Sequence, residues 1–590
     1  MFKKKTIGAI LAATLFAVSI SFGATLKQNW NDFLHYITIG RFDLAKGYAQ
    51  AILESNPDPL ELLTLSEENP RGYALLLKVT ETASDTELVE LSKKVLDVIE
   101  QGRFTRRTDP KIIGEEIRRL SSTARGKLAA VERLQNAGEY AIPFMLDAMM
   151  DKSRKEEFPN IVWALPQIGR DAIRPLTAAL QTEDVGLKAE IIKALGKIQY
   201  PQSLPYLKYI IEKDDSTELR NLAGQSIKQI DPAALKAPAA QLFYNLGEDY
   251  YNRAPSLAPM EDANFANIWF WDSQGRHLVR EKVDRSYFNE LMAMRACEWT
   301  LKADAGFGQA IGLWLAAYCK AESTGLNMPS YFGPGHADAM TYATTAGPEY
   351  LHQALALALK DKNAHVALCM VEALATTAGE KSLFYRIGPT QPLVQALSFD
   401  DKAVRYSAAI AIAAAGPKEN FAESKLVVKN LIEAIEQKNE GQETIDANSY
   451  ALRSAEVMLK LVRTRNPVID LSTAQEALID ATKGNRVEIQ VLAGRILAHL
   501  GSPEAQRAIA AMALVESNSN DIRISAFDSL AVSAKINANL LDDEKIDAIY
   551  SLVSSKEIDP QLRSAAAAAY GALNLPSQKV KDLILDQAKS

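Results

Sequence analysis

Histidine and cysteine are the side chains most able to hold a metal or attack a bond, and their spacing in this chain excludes several chemistries. The six histidines (His35, His277, His336, His352, His365 and His499) are followed by Tyr, Leu, Ala, Gln, Val and Leu. No His-Glu pair and no HExxH occurs, so the helix of a zinc protease is not present. No CxxCH attaches a haem, and no Walker-type loop cradles a phosphate. His336 with Asp338, joined by His352, is the one metal constellation worth naming, and its spacing is generic. No cofactor is expected.

The three cysteines are Cys297, Cys319 and Cys369. If Cys297 and Cys319 lie on two helices that turn near residue 304, they sit about 12 Å apart along the helix axes. That is too far for a disulfide. Free thiols are the expectation, Cys369 included.

Two other groups could meet a partner. Residues 241–350 hold 18 of the 44 aromatic residues. There Ile268-Trp269-Phe270-Trp271, Asp272-Ser273-Gln274-Gly275 and Arg276-His277-Leu278-Val279 read as a β-hairpin with a Gly-containing turn. A Gly/Pro-rich loop follows, with Tyr331-Phe332 between Pro329 and Gly333 and with His336 and Asp338 after it. Trp269, Trp271, Tyr331, Phe332, His336 and Asp338 are therefore the candidate protein-binding residues. The plainer reading is that these aromatics fill a joint between two helical arrays. Separately, Arg103, Arg106, Arg107, Arg118 and Arg119 belong to a basic cluster that suits an anionic surface or a peripheral membrane contact. Its plainer reading is a solvated helix face.

The elements that position these residues follow from repetition. The chain has 590 residues, 47% apolar and 24% charged, which excludes bulk disorder. No run after residue 23 approaches the ~18 apolar residues of a membrane span, which excludes a multi-span membrane protein. Residues 1–23 read as a secretory signal peptide: Lys3-Lys4-Lys5, an apolar stretch from Ile7 to Ile20, and Ser21-Phe22-Gly23 before a cut at Ala24. Removing its three lysines from 66 basic residues leaves 63 against 73 acidic ones, a net charge of −10. An exported acidic chain is a poor nucleic-acid binder, and none is expected as a partner.

Residues 129–232 repeat. Arg133-Leu134-x-x-Ala137-Gly138 with Pro143 aligns with Ala164-Leu165-x-x-Ile168-Gly169 and Pro175. Ala194-Leu195-x-x-Ile198 with Pro205 and Ser226-Ile227-x-x-Ile230 continue the series. The Leu/Ile position recurs at 134, 165, 195 and 227, spacings of 31, 30 and 32. That period predicts stacked helical hairpins, each too small to fold alone. Acidic residues precede several second helices (Asp184, Asp215, Asp401, Asp521, Asp559), and a basic residue follows (Lys188, Arg220, Arg405, Arg523, Arg563). Looser copies with alanine-rich helices run through 351–590.

On those residues, and on Asp401-Lys402-Ala403-Val404-Arg405 above all, the chain resembles HEAT repeats of the short type seen in phycobilisome lyases. The resemblance implies an α-solenoid in which the Asp and Arg link one repeat to the next. Residues 29–57 and 287–322 each resemble a single tetratricopeptide hairpin.

The expectation is thus an all-α, HEAT-like solenoid with an aromatic-rich insert. The divisions are a signal peptide over 1–23, a TPR-like region over 24–120, HEAT-like repeats over 121–235, the insert over 236–350, and further HEAT-like repeats over 351–590. The expected function is a non-enzymatic, exported scaffold that binds proteins or peptides in the periplasm or cell envelope. Two alternatives stand beside it: an enzyme or ligand-binding protein with its site in 241–350, and a self-associating envelope subunit.

Overall fold

The computed structural model describes residues 25–259, 264–438 and 446–576, with 578, 580–581 and 584–585 beyond them. The signal-peptide expectation, on residues 1–23, lies outside the described residues. The chain divides into two compact units, residues 1–235 with 269–280, and residues 236–268 with 281–590.

The first unit begins with a helical hairpin, Leu26–Thr38 and Phe42–Glu54. Thr25 and Gln28 form a reciprocal cap: the Gln28 N–H donates to Thr25 Oγ1, and the Thr25 N–H donates to Gln28 Oε1. Trp30, Phe33, Leu34 and Ile37 then fall on one helical face and are buried, opposite buried Ala45, Ala49 and Ile52. The same core takes in Leu62, Leu63, Leu76, Val95 and Ile99 from the next helices.

The 31-residue spacing appears as helix, tight turn, helix. Gly138 and Gly169 occupy the first two turns with φ of +58° and +77°. Both pair that φ with a strongly negative ψ, a region that side chains with a Cβ avoid. Pro143, Pro175 and Pro205 lie in the first turns of helices Ala141–Met150, Ile173–Ala179 and Leu204–Lys213. There no backbone donor is lost. The caps partly follow the sequence pattern. Asp184, Asp401 and Asp559 cap their helices, whereas at two repeats the cap is Ser216 or Ser519. Asp521 therefore sits inside its helix, in the first turn.

The basic residues after these caps are structural. Arg405 donates to the carbonyls of Phe399 and Asp400 and reaches Glu433 of the following helix at 2.9 Å. Arg523 donates to Ala513 O, Arg563 to Ser555 O and Arg220 to Asp214 O. Arg523, Arg563 and Arg220 satisfy carbonyls at the C-terminal end of the preceding helix, where no intrahelical donor exists, and Arg405 satisfies carbonyls of the loop that follows helix Pro392–Ala396.

The second unit repeats this logic from Ala239–Tyr251 to Pro560–Ala572. Its alanine-rich helix Lys402–Ala415 buries Ala408, Ala409, Ala411 and Ala413. Phe288–Ala303 and Gln309–Glu322 form the hairpin expected at 287–322, turning at Asp304–Gly308. The β-hairpin is present and longer than expected: β1 (Phe265–Asp272) pairs with β2 (His277–Asp284). Between residues 351 and 590 the described residues hold one isolated bridge, Ile387 with Thr390, and no strand.

His352 is fully buried in helix Pro348–Lys360, and its Nε2–H donates to Ser382 O at 2.8 Å. Burial lowers its pKa from 6.5, only partly offset by that hydrogen bond. A depressed histidine keeps its native contribution above the unfolded pKa and loses it as pH falls below that value, because the unfolded chain takes up the proton first. The unfolding midpoint of the second unit should therefore drop between about pH 7 and about pH 5. His352→Gln should flatten that slope in thermal melts across the range. An unchanged slope would assign the acid sensitivity to other groups.

Candidate functional site

The aromatic residues of the insert divide between the units. Trp269, in the first unit, is 5% exposed, and its Nε1–H donates to Glu139 Oε2 at 2.8 Å. Glu139 is itself 3% exposed, on the turn that Gly138 opens, with Arg174 Nη2 at 3.5 Å. The ring of Tyr140 beside it packs edge-on to Phe104 and carries Arg280 5.0 Å from its centroid. Trp269 is therefore a buried anchor within the first unit and is not exposed to a partner. Trp271 is half-buried.

Tyr331, Phe332, His336 and Asp338 lie in the second unit. The first three join a ring cluster. Trp314 and Tyr318 lie four residues apart, on one face of helix Gln309–Glu322, with centroids 5.3 Å apart. Tyr342 of helix Ala339–Ala346 packs on Trp314 at 5.1 Å and on Tyr318 at 5.9 Å. Phe332 packs on Tyr318 at 5.7 Å, Tyr331 on Phe332 at 4.9 Å, and His336 on Phe332 at 5.4 Å.

Tyr318 is the buried floor, fully enclosed, with its hydroxyl donating to Ala337 O at 2.7 Å. That bond ties the Gly/Pro loop to the helix. Tyr331 and Tyr342 remain 40% and 42% exposed, and His336 is exposed. Tyr318, Trp314 and Tyr342 were not among the expected site residues. The four-residue spacing of Trp314 and Tyr318 was the available signal.

Carboxylates edge these rings. Glu298 Oε1 accepts the Trp314 indole N–H at 3.2 Å, and Glu281 Oε1 accepts the Ser330 hydroxyl at 2.8 Å. Glu322 accepts the Ala339 N–H at 3.0 Å, and burial raises its pKa. Burial also pushes the Tyr318 phenol above its ordinary range, with Glu322 beside it adding to the shift. Asp338 caps helix Ala339–Ala346, and hydrogen bonds from Thr341 hold its carboxyl below the usual range.

His336, Asp338 and His352, the one metal grouping that the sequence suggested, do not gather. His336 Nδ1 lies 3.2 Å from Gly333 O, His352 is bound to Ser382 O, and Asp338 is committed to its cap. Among the described residues no group of three or more His, Cys, Asp or Glu side chains is placed to hold a metal ion.

The basic cluster, in the first unit, is largely paired. Arg103 reaches Glu100 at 3.0 Å and lies over the Tyr73 ring. Arg106 reaches Glu67 at 2.8 Å, and Arg107 lies 5.9 Å from the Tyr140 ring centroid. Arg119 and Arg133 share Glu116, whose side chain is 7% exposed. Arg118 is exposed. These pairings leave less net positive charge than the sequence count suggests.

Residues 142–228 match the family model for HEAT repeats. The matched segment covers the helices of the 31-residue repeat, and the chain has the all-α fold of a HEAT-type solenoid with one small β-hairpin. No curated protein matches this chain. Solved structures similar to it include an engineered protein, at 16% identity over 78% of this chain and 99% of that one, with a TM-score of 0.29. Kap95p, from its structure with RanGDP, is 12% identical over 87% of this chain and 69% of that one, with a TM-score of 0.27. Importin beta is 14% identical over 95% of this chain and 78% of that one, with a TM-score of 0.26. Superpositions this loose carry no argument about function.

Proposed function

We propose that this chain is an exported helical-repeat scaffold, built on short HEAT units of the phycobilisome-lyase-like kind, that binds a cationic protein segment. The supporting observation is the partly exposed ring cluster of Trp314, Tyr331, Phe332 and Tyr342, edged by Glu281, Glu298 and Glu322. Aromatic faces attract Lys and Arg, at about 0.5–2 kcal/mol for each contact. Carboxylates at the edge add charge complementarity that governs partner choice and association rate. The signal-peptide pattern and the acidic balance of the chain support the envelope as its location.

The test uses the full chain and fluorescent decapeptides, one rich in Lys and Arg and one rich in Glu. The basic peptide should bind and the acidic one should not. Tyr331→Ala with Tyr342→Ala should weaken binding about 30-fold or more, the size of a lost aromatic hot spot. Glu298→Gln should reduce the salt dependence of binding. Equal binding of both peptides, or an unchanged affinity in the double variant, would sink the proposal. The N-terminal sequence of the protein recovered from the envelope checks the export reading separately. It should begin at Ala24.

A further inference from the structure

Cys319 lies on helix Gln309–Glu322 and Cys369 on helix Ala364–Thr377, 50 positions further along the chain. The two helices pack on one another within the second unit, and helix Ala339–Ala346 packs on both. That packing brings the two thiols within range of each other, and both are free. They differ in access: Cys319 is 1% exposed, while Cys369 is half-buried. Cys297 is buried elsewhere on helix Phe288–Ala303, with Glu248 and Glu298 as its charged neighbours.

We infer that Cys319 and Cys369 form a reversible disulfide site that clamps helix Gln309–Glu322, which carries Trp314 and Tyr318, to helix Ala364–Thr377. The reaction needs a disulfide oxidant, of which glutathione disulfide is the simplest. The Cys369 thiolate, being more accessible, attacks one sulfur of the reagent. The reagent's S–S bond breaks, one glutathione leaves as its thiolate, and a mixed disulfide forms on Cys369. Cys319 then loses its proton and attacks the Cys369 sulfur, releasing the second glutathione. The two cysteines give up two electrons to the reagent, and their two protons end on the two glutathione thiols. Burial and the neighbouring thiol hold the Cys319 proton tightly, so the second step is the slow one. An oxidising envelope supplies the conditions in which such a bond persists.

The bond would act on the proposed binding surface from beneath. Tyr318, the floor of the ring cluster, is adjacent to Cys319 in sequence. Joining its helix to Ala364–Thr377 restricts the unfolded chain and limits relative motion of the helices under the rings. The inference needs only the thiol pair. It stands or falls separately from the choice of partner.

The test treats the folded full-length chain with glutathione disulfide, stops exchange with acid, denatures the chain, blocks the remaining thiols with an alkylating agent and then digests it. Free thiols should fall from three to one per chain. A single intramolecular cross-linked peptide should join Cys319 to Cys369, with Cys297 alkylated. Oxidation should raise the unfolding midpoint by about 5 °C. Cys369→Ser should show neither the cross-link nor that rise, and Cys319→Ser should accumulate the mixed disulfide at Cys369. Three alkylated cysteines after oxidation, a cross-link to Cys297, or a linkage only between chains would overturn the inference.

Discussion

Replacing Glu139 with alanine is expected to destabilise the first unit by about 3 kcal/mol. The carboxylate accepts the Trp269 indole N–H at 2.8 Å and faces Arg174, whose side chain is only 12% exposed. Removing it takes the acceptor from a buried indole donor and takes one carboxylate, Asp171 being another, from beside a nearly buried guanidinium. Each loss alone costs about 1–3 kcal/mol, so the sum falls in the range of about 2–5 kcal/mol of a large core truncation. Glu139→Gln keeps an oxygen for the indole and should cost less. Trp269→Phe removes the donor, so Glu139→Ala should cost about 1 kcal/mol less in that background than in the wild type. Urea unfolding of the four proteins measures the coupling. Additive effects would mean that the indole and the carboxylate do not depend on each other.

Gly102→Ala should destabilise the first unit by about 2 kcal/mol, although alanine is the better helix former. Gly102 is buried in helix Thr86–Thr108, and a Cβ there would run into the backbone carbonyl of Pro59 and meet Leu63 Cβ at 3.0 Å. Helix propensity favours alanine by about 1 kcal/mol. Overpacking against backbone, which cannot rotate away as a side chain does, costs about 1–3 kcal/mol, with this contact at the upper end. Gly114 supplies the control. It lies in helix Pro110–Arg119 with nothing near its missing Cβ. Gly114→Ala should therefore stabilise by about 0.5–1 kcal/mol. If both substitutions shift the urea midpoint in the same direction, the close approach of Gly102 to Pro59 is not the deciding term.

These two predictions show where sequence reading reached and where it stopped. The helical hairpins were legible because each is a local object. Leu134, Leu165, Leu195 and Ile227 repeat at one spacing, and Gly138 and Gly169 occupy turns that only glycine enters readily. The β-hairpin was legible for the same reason, with strand and turn residues contiguous in the chain. The role of Arg405, Arg523 and Arg563 was expected from the resemblance alone, as a link to the next repeat, whereas each reaches carbonyls of the preceding segment and Arg405 also reaches Glu433 of the following helix.

The candidate site was only half legible. Tyr331, Phe332 and His336 stood out through their Gly/Pro loop, yet the rings that support them come from two helices. Sequence composition weighted Trp269 like Tyr331, but one is buried against Glu139 and the other is 40% exposed.

The amino-acid order by itself determined the helical period and the turn glycines, because those depend on neighbours within about one repeat. Only the tertiary structure decided that Glu139 meets Trp269 across 130 positions, that Gly102 touches Pro59, and that Cys319 lies beside Cys369. Those contacts depend on how successive hairpins stack. Stacking is a sum of many small apolar contacts, and no short sequence pattern encodes it.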